Sequence, residues 1–224
     1  MFLARIVILG ALLAGPAGGV FAAVPAQTQV KLPALLQEVE SKYAQAQTLT
    51  ANFQETTTSA ALKTTKKTSG ALSFKRPGKV RWETLTPDKN LLVGDGTTFW
   101  YYTPPFDEGD NGQYSERPAS KVQSRFAQTL LSASFSSSDA TRTMKIQVNG
   151  PNLFTLIPKK GTAGTVKRAT IVVDPKSKTI TEVELLHTDG NRTRIVLSNL
   201  ELGKPLDEKL FHFTPPPHTD KIEE

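Results

Sequence analysis

GALSFKRPGKVRWETLTPDKNLLVGDGTTFWYYTPP, residues 70–105, is the stretch that decides the fold. Short extended segments are cut by Arg76-Pro77-Gly78, Thr86-Pro87-Asp88 and Gly94-Asp95-Gly96, combinations that favour a tight turn over continuation. The spacing predicts strands over 71–74, 79–85, 90–93 and 97–103. Val80, Trp82 and Thr84 alternate with Lys79, Arg81 and Glu83, so one face of that strand is wet. The aromatic load is heavy: Phe74, Trp82, Phe99, Trp100, Tyr101 and Tyr102, including both tryptophans of the chain. Such a meander can fill a core or line a concave apolar surface, and its residues alone leave both open.

Upstream, Leu32, Leu35, Leu36, Val39 and Tyr43 recur at helical spacing, which predicts an amphipathic helix ending near Gln47 with Pro33 in its first turn. Leu49, Ala51 and Phe53 then alternate with polar residues as a half-buried strand. The polar segment 63–69 reads as a hairpin whose lysines guard its edges from pairing. Downstream, 104–112 is a loop with the acids Asp107, Glu108 and Asp110, and a short strand over 113–117 comes next. A second amphipathic helix starts near Ser120, with Val122, Phe126, Leu130 and Leu131 on its apolar side. Further strands are expected over 143–148, 153–157, 166–173, 179–187, 193–200 and 210–214. Asn149-Gly150 and Asp189-Gly190 mark hairpins, because those turns need positive φ. The fold expected is α+β: a single antiparallel sheet covered by helices, with no internal repeat.

The N-terminus reads as an address. Arg5 precedes an apolar run from Ile6 to Ala14, Gly15-Pro16 and Gly18-Gly19 then break any helix, and Ala22, Ala23 and Ala26 offer cleavage points. A secretory signal over residues 1–23 is expected, with its boundary between 22 and 26 and one domain over 24–224. The run is shorter than the roughly 20 apolar residues of a membrane span. The sequence contains no cysteine. An exported chain without cysteine holds together by burial and hydrogen bonds alone, and it lacks the residue that N-terminal lipidation requires. A soluble periplasmic protein is expected. The formal charge is +6; export and the scatter of the basic residues argue against a nucleic-acid partner.

Catalytic and metal-binding patterns are missing. His187, His212 and His218 are far apart in sequence, and no zinc-protease, nucleophile-elbow or phosphate-loop motif occurs. The 107–112 loop fails as an EF-hand, since Gly109 stands at a ligand position and Pro118 where the closing Glu belongs. Gly94-Asp95-Gly96 lies between strands, without the helix N-terminus that phosphate binding uses. No cofactor, metal or catalytic residue is assigned.

Two readings of the apolar face stand side by side. In one, Phe53, Phe74, Trp82 and Phe99 pack under the helices as core. In the other, the same face walls a cavity for an acyl chain. The wall candidates are then Phe53, Leu72, Phe74, Val80, Trp82, Leu92, Phe99 and Tyr101, with Phe126 and Leu130 from a helical lid. Arg76 is either a solvated turn residue or a latch, since a guanidinium offers five donors to backbone carbonyls.

The residues also resemble a family. Lys75-Arg76-Pro77, Arg81-Trp82, Leu91-Leu92-Val93, Asp95-Gly96 and Trp100-Tyr101-Tyr102 are similar to the LolA family of periplasmic lipoprotein carriers. The likeness extends to Ala51-Asn52-Phe53-Gln54 and to Phe211-His212-Phe213-Thr214-Pro215-Pro216. It implies an unclosed β-barrel with an α-helical lid over a cavity for the acyl chains of lipoproteins. It also implies a monomeric carrier loaded by a LolCDE-type inner-membrane transporter and emptied at a LolB-type outer-membrane receptor. The family's lid-latching arginine falls on Arg76. One position departs: the slot third after the proline, often aromatic in the family, is Val80. Alternatives on other grounds are a lipid- or lipoprotein-sensing regulator on the same half-barrel and a periplasmic hydrolase.

Overall fold

Alternation with a period of two governs most of the chain after Gln47, and the backbone obeys it. The structure, a computed structural model, describes residues 32–119, 144–159 and 164–223. Helix α1 (Ala34–Gln45) comes first. The first meander is β1 (Thr48–Thr58), β2 (Thr65–Lys75), β3 (Lys79–Thr86), β4 (Asn90–Asp95), β5 (Thr98–Thr103) and β6 (Gly112–Pro118). The second is β7 (Met144–Val148), β8 (Leu153–Pro158), β9 (Val166–Asp174), β10 (Thr179–His187) and β11 (Arg192–Leu202). A 3-10 turn (Glu208–Phe211) and β12 (Thr219–Lys221) end the chain.

All these strands form one sheet, in the order β12-β6-β5-β4-β3-β2-β1-β11-β10-β9-β8-β7. The two meanders are joined where β1 pairs with β11, Phe53 lying opposite Leu197. Strand-to-strand twist of about −20 to −25° accumulates across so many strands and curls the open sheet. Its ends, β12 and β7, do not meet, so the barrel is a half-barrel.

Two expectations are corrected. The sheet is mixed rather than purely antiparallel, because β12 runs parallel to β6, with Thr219 opposite Gly112. The strand expected over 210–214 is replaced by the 3-10 turn. Asp207 caps it by accepting from the Lys209 N–H at 2.9 Å, a local bond that competes with extension. The helix expected from Ser120 lies outside the described residues, as do Phe126 and Leu130.

Helix α1 begins at Ala34, after Pro33, and buries Leu36, Val39 and Tyr43. They join Leu49, Ala51, Leu72, Val80, Phe99, Phe154, Leu156, Ile171 and Ile180 in one core cluster on the inner face of the sheet. Turn chemistry matches the sequence. Asp95 accepts from the Thr97 and Thr98 N–H groups at 2.7 and 2.8 Å, while Gly96 takes φ +100°.

The outer face differs along the sheet. Behind β5 and β6, Phe213 packs on Trp100, Tyr102 and Tyr114 with ring centroids 6.2, 5.7 and 5.6 Å away. Phe211 is buried and its 3-10 turn contacts β3 and β4. Behind β10 and β11 stand ion pairs instead, Arg194 with Glu182 and Arg192 with Glu184.

Candidate functional site: an apolar concave face and its helical clasp

Strand register decides which side chains share the inner face. Phe53 lies opposite Gly70, Ala51 opposite Leu72 and Leu49 opposite Phe74. Leu72 lies opposite Trp82 and Phe74 opposite Val80. The row continues through Leu92, paired with Trp82, and then Tyr101, paired with Leu92; Phe99 pairs with Gly94. All eight wall candidates on the described strands therefore stand on one face.

Their exposure is uneven. Phe53, Leu72, Val80 and Phe99 are buried, Phe74, Trp82 and Leu92 are half-buried, and Tyr101 is 44% exposed. The rings of Phe53 and Trp82 touch at 4.5 Å between centroids. Two glycines make the packing possible. A Cβ on Gly94 would sit 2.8 Å from the Phe99 ring, and one on Gly70 would sit 3.0 Å from the Phe53 ring and 1.9 Å from the Glu83 carbonyl oxygen. The aromatic side chains thus lie down on bare backbone rather than standing off it.

The run Phe99–Tyr102, unreadable from sequence because every residue is aromatic, is resolved by this register. Phe99 and Tyr101 face inward. Trp100 and Tyr102 face the outer cluster around Phe213, and the Trp100 indole N–H donates to Glu116 at 3.3 Å.

Arg76 closes the β2–β3 turn beside the C-terminus of α1. Its backbone N–H donates to the Gln47 carbonyl at 2.9 Å. Its guanidinium donates to the carbonyls of Ala46 at 3.3 Å and Tyr43 at 3.4 Å. The last carbonyls of a helix lack intrahelical partners and carry partial negative charge, so a guanidinium suits them. Flanking Arg76, Lys75 and Lys79 lie directly opposite each other on the outer side. Glu208 bridges them at 2.7 and 2.6 Å. Hydrogen bonds from the two lysines hold the Glu208 carboxyl down at about 2. One turn therefore grips the helix on one side and the C-terminal segment on the other.

Sequence reasoning missed Tyr43. It counted only as an apolar helical position, yet its hydroxyl accepts from the Ile180 N–H of β10 at 3.1 Å. Burial is the main cause that pushes the phenol up to about 12. A buried tyrosine usually finds a partner for its hydroxyl, which was the available signal. Tyr43 thus touches both meanders, through its carbonyl to Arg76 and through its hydroxyl to β10. Lys42 and Glu38 add contacts to the β9–β10 turn, at Ser177 and Lys178.

Two clefts among the described residues lie away from the aromatic wall. One, about 350 Å³, lies where β10 and β11 diverge, between Lys42, Ile180 and Asn199. The other, about 610 Å³, is bounded by Phe106, Asp110, Gln113 and Asp220. Among the described residues, His187 lies between the hydroxyls of Thr165 and Thr193. No cluster of metal-ligating side chains occurs among the described residues.

The chain is similar to several known proteins. The family model described as "Outer membrane lipoprotein carrier protein LolA" matches residues 44–214. An outer-membrane lipoprotein carrier protein of Pseudomonas aeruginosa is 29% identical over 194 residues, covering 85% of this chain and 88% of the relative. Its counterpart in Vibrio vulnificus is 32% identical over 170 residues, covering 75% and 80%. The crystal structure of a LolA superfamily protein from Nitrosomonas europaea aligns over 80% of this chain and 96% of that one, with a TM-score of 0.40 and 10% identity.

Proposed function

The chain belongs to the LolA family of outer membrane lipoprotein carrier proteins, and from that premise we propose that it ferries lipoproteins across the periplasm. Acyl chains leaving a LolCDE-type inner-membrane transporter enter against the inner face of the sheet. A LolB-type receptor at the outer membrane takes them over. The carrier acts as a soluble monomer, and residues 24–224 form one domain once the signal is removed.

The reading draws on what apolar burial supplies. Each CH₂ moved out of water contributes about 0.8 kcal/mol, so an apolar wall holds acyl chains without specific polar contacts. Phe74, Trp82, Leu92 and Tyr101 are the wall residues with surface still to cover. Binding of this kind is unselective and strong, so the difficulty lies in letting go.

The observation that carries the proposal is Arg76, hydrogen-bonded to the C-terminal carbonyls of α1. These bonds belong to the state in which the helix covers the sheet. A latch that stabilises the closed, empty state opposes retention of lipid and so favours release. Arg76→Leu removes the donors, leaves the apolar face intact, and is expected to load lipoprotein normally. Its transfer to the receptor falls about tenfold, the factor for losing roughly 1.4 kcal/mol of charge-assisted hydrogen bonding. Transfer from inner-membrane vesicles to purified receptor measures this, and a wild-type rate overturns the latch. Native mass spectrometry of protein purified from the periplasm tests the cargo itself.

A further inference from the structure

Three of the six exposed large apolar side chains among the described residues, including the two most exposed, stand at one end of the half-barrel. The β1–β2 turn, the β3–β4 turn and the β5–β6 loop all lie at the end opposite Arg76. At that end stand Leu62 at 75% exposure, Leu85 near the end of β3 at 47% and Phe106 at 88%. The two most exposed have contrasting surroundings. Phe106 is followed by Asp107, Glu108 and Asp110, whereas Leu62 is followed by Lys63, Lys66 and Lys67, with no acid between residues 56 and 67.

The β1–β2 tip is built rather than frayed. The Ser59 N–H donates to the Thr64 carbonyl at 2.9 Å, and the Leu62 N–H to the Ser59 hydroxyl at 3.2 Å. The Ala60 N–H donates to the Asn191 side-chain oxygen at 2.9 Å, tying the tip to the β10–β11 turn. There Asp189, the nearby acid, is occupied by Asn191. Residues 60–67 are all exposed. On the β2 side the hairpin projects past β3, whose pairing begins only at Ser69. Lys66 meets Asp88 at 3.1 Å, an exposed pair that exchanges readily.

We infer that this tip is a docking point for an anionic phospholipid bilayer: Leu62 enters the headgroup region while Lys63, Lys66 and Lys67 meet the lipid charge. An apolar side chain inserted beside lysines is the chemistry of interfacial binding. Each lysine near such a surface strengthens binding about fivefold. A single leucine and three lysines give a brief, reversible contact, which suits a protein that must leave again. The same charge rule excludes the Phe106 loop, whose carboxylates an anionic surface repels.

Vesicle co-flotation of the purified protein tests this. Retention is expected on phosphatidylglycerol-containing vesicles at low salt, with loss on phosphatidylcholine vesicles and at high salt as charges are screened. Lys63→Gln, Lys66→Gln and Lys67→Gln each lower retention about fivefold. Leu62→Ser lowers it about tenfold, and Phe106→Ser leaves it unchanged. All five side chains are exposed, so melting temperatures stay at the wild-type value. Because the chain has no cysteine, Leu62→Cys carries a polarity-sensitive dye at one position, whose emission shifts to the blue on the anionic vesicles. The inference is overturned if wild-type protein ignores these vesicles at low salt. It is equally overturned if the lysine and Leu62 variants bind as wild type does, or if the dye responds only to an added protein partner.

Discussion

Strands β1–β6 and strands β7–β11 both put apolar side chains on the inner face, but their backs face different surroundings. Behind the first meander the C-terminal segment buries Phe211 and lays Phe213 over Trp100, Tyr102 and Tyr114, so these strands are packed on both sides. Behind the second, Glu182 and Glu184 pair with Arg194 and Arg192 in the open. The inner surfaces differ as well. Phe154, Leu156, Ala169 and Ile171 are essentially inaccessible, while Phe74, Trp82 and Leu92 keep part of their surface. The aromatic density of residues 70–105 thus serves two layers at once. The first meander keeps partly uncovered inner side chains over a packed back, whereas the second buries its inner face beneath an open back.

The largest test of that contrast is at the backs. Phe213→Ala should cost about 3–5 kcal/mol, as for truncation of a buried phenylalanine, whereas Glu182→Gln behind the second meander should cost under about 1 kcal/mol. Urea unfolding measures both, and equal costs would erase the distinction. The inner faces come next. Leu156→Ala should lose about 2–5 kcal/mol and Leu92→Ala distinctly less, because less of Leu92 leaves water on folding. Reversal of that order would make the first meander's inner face ordinary core.

Tyr43→Phe probes the link between the halves. It leaves the Ile180 N–H buried without its acceptor, which costs about 1–3 kcal/mol. Amide exchange at Ile180 should rise while exchange in β4 and β5 stays unchanged. The smallest effect is the Glu208 clamp. A carboxyl whose folded pKa lies near 2, below the ordinary 4.5, supports the fold above its unfolded pKa. That support fades as pH falls from about 4.5 toward 2. Glu208→Gln should flatten this part of the stability profile between those values and leave stability at still lower pH unchanged.

Much of this architecture was legible because alternation and turn chemistry act locally. Val80, Trp82 and Thr84 marked a one-sided strand, and Asp95-Gly96 and Asp189-Gly190 marked the turns that formed. Legibility stopped where two faces were apolar at once. Phe99–Tyr102 gave no parity, and only pairing with Gly94, Val93, Leu92 and Leu91 assigns it. The 3-10 turn was hidden because Leu210, Phe211 and Phe213 suit a strand equally well, and the Asp207 cap tips the balance. Tyr43 escapes such reading because helical spacing reports where a side chain points and not what its hydroxyl meets. Arg76 was legible as a turn residue with donors to offer, but its acceptors depend on where α1 ends.

The junction of β1 with β11 has a consequence for how the molecule assembles. Each meander is made of neighbours in sequence, so its hairpins can form early at little entropic cost. Phe53 must instead wait for Leu197, which follows only after the rest of both meanders has been laid down. Until that late strand arrives, β1 presents an unpaired edge of eleven residues in the middle of the future sheet. A nascent chain in that condition offers a template for any other extended strand. The interval before β11 arrives, rather than the finished fold, is where such a chain is most vulnerable to aggregation.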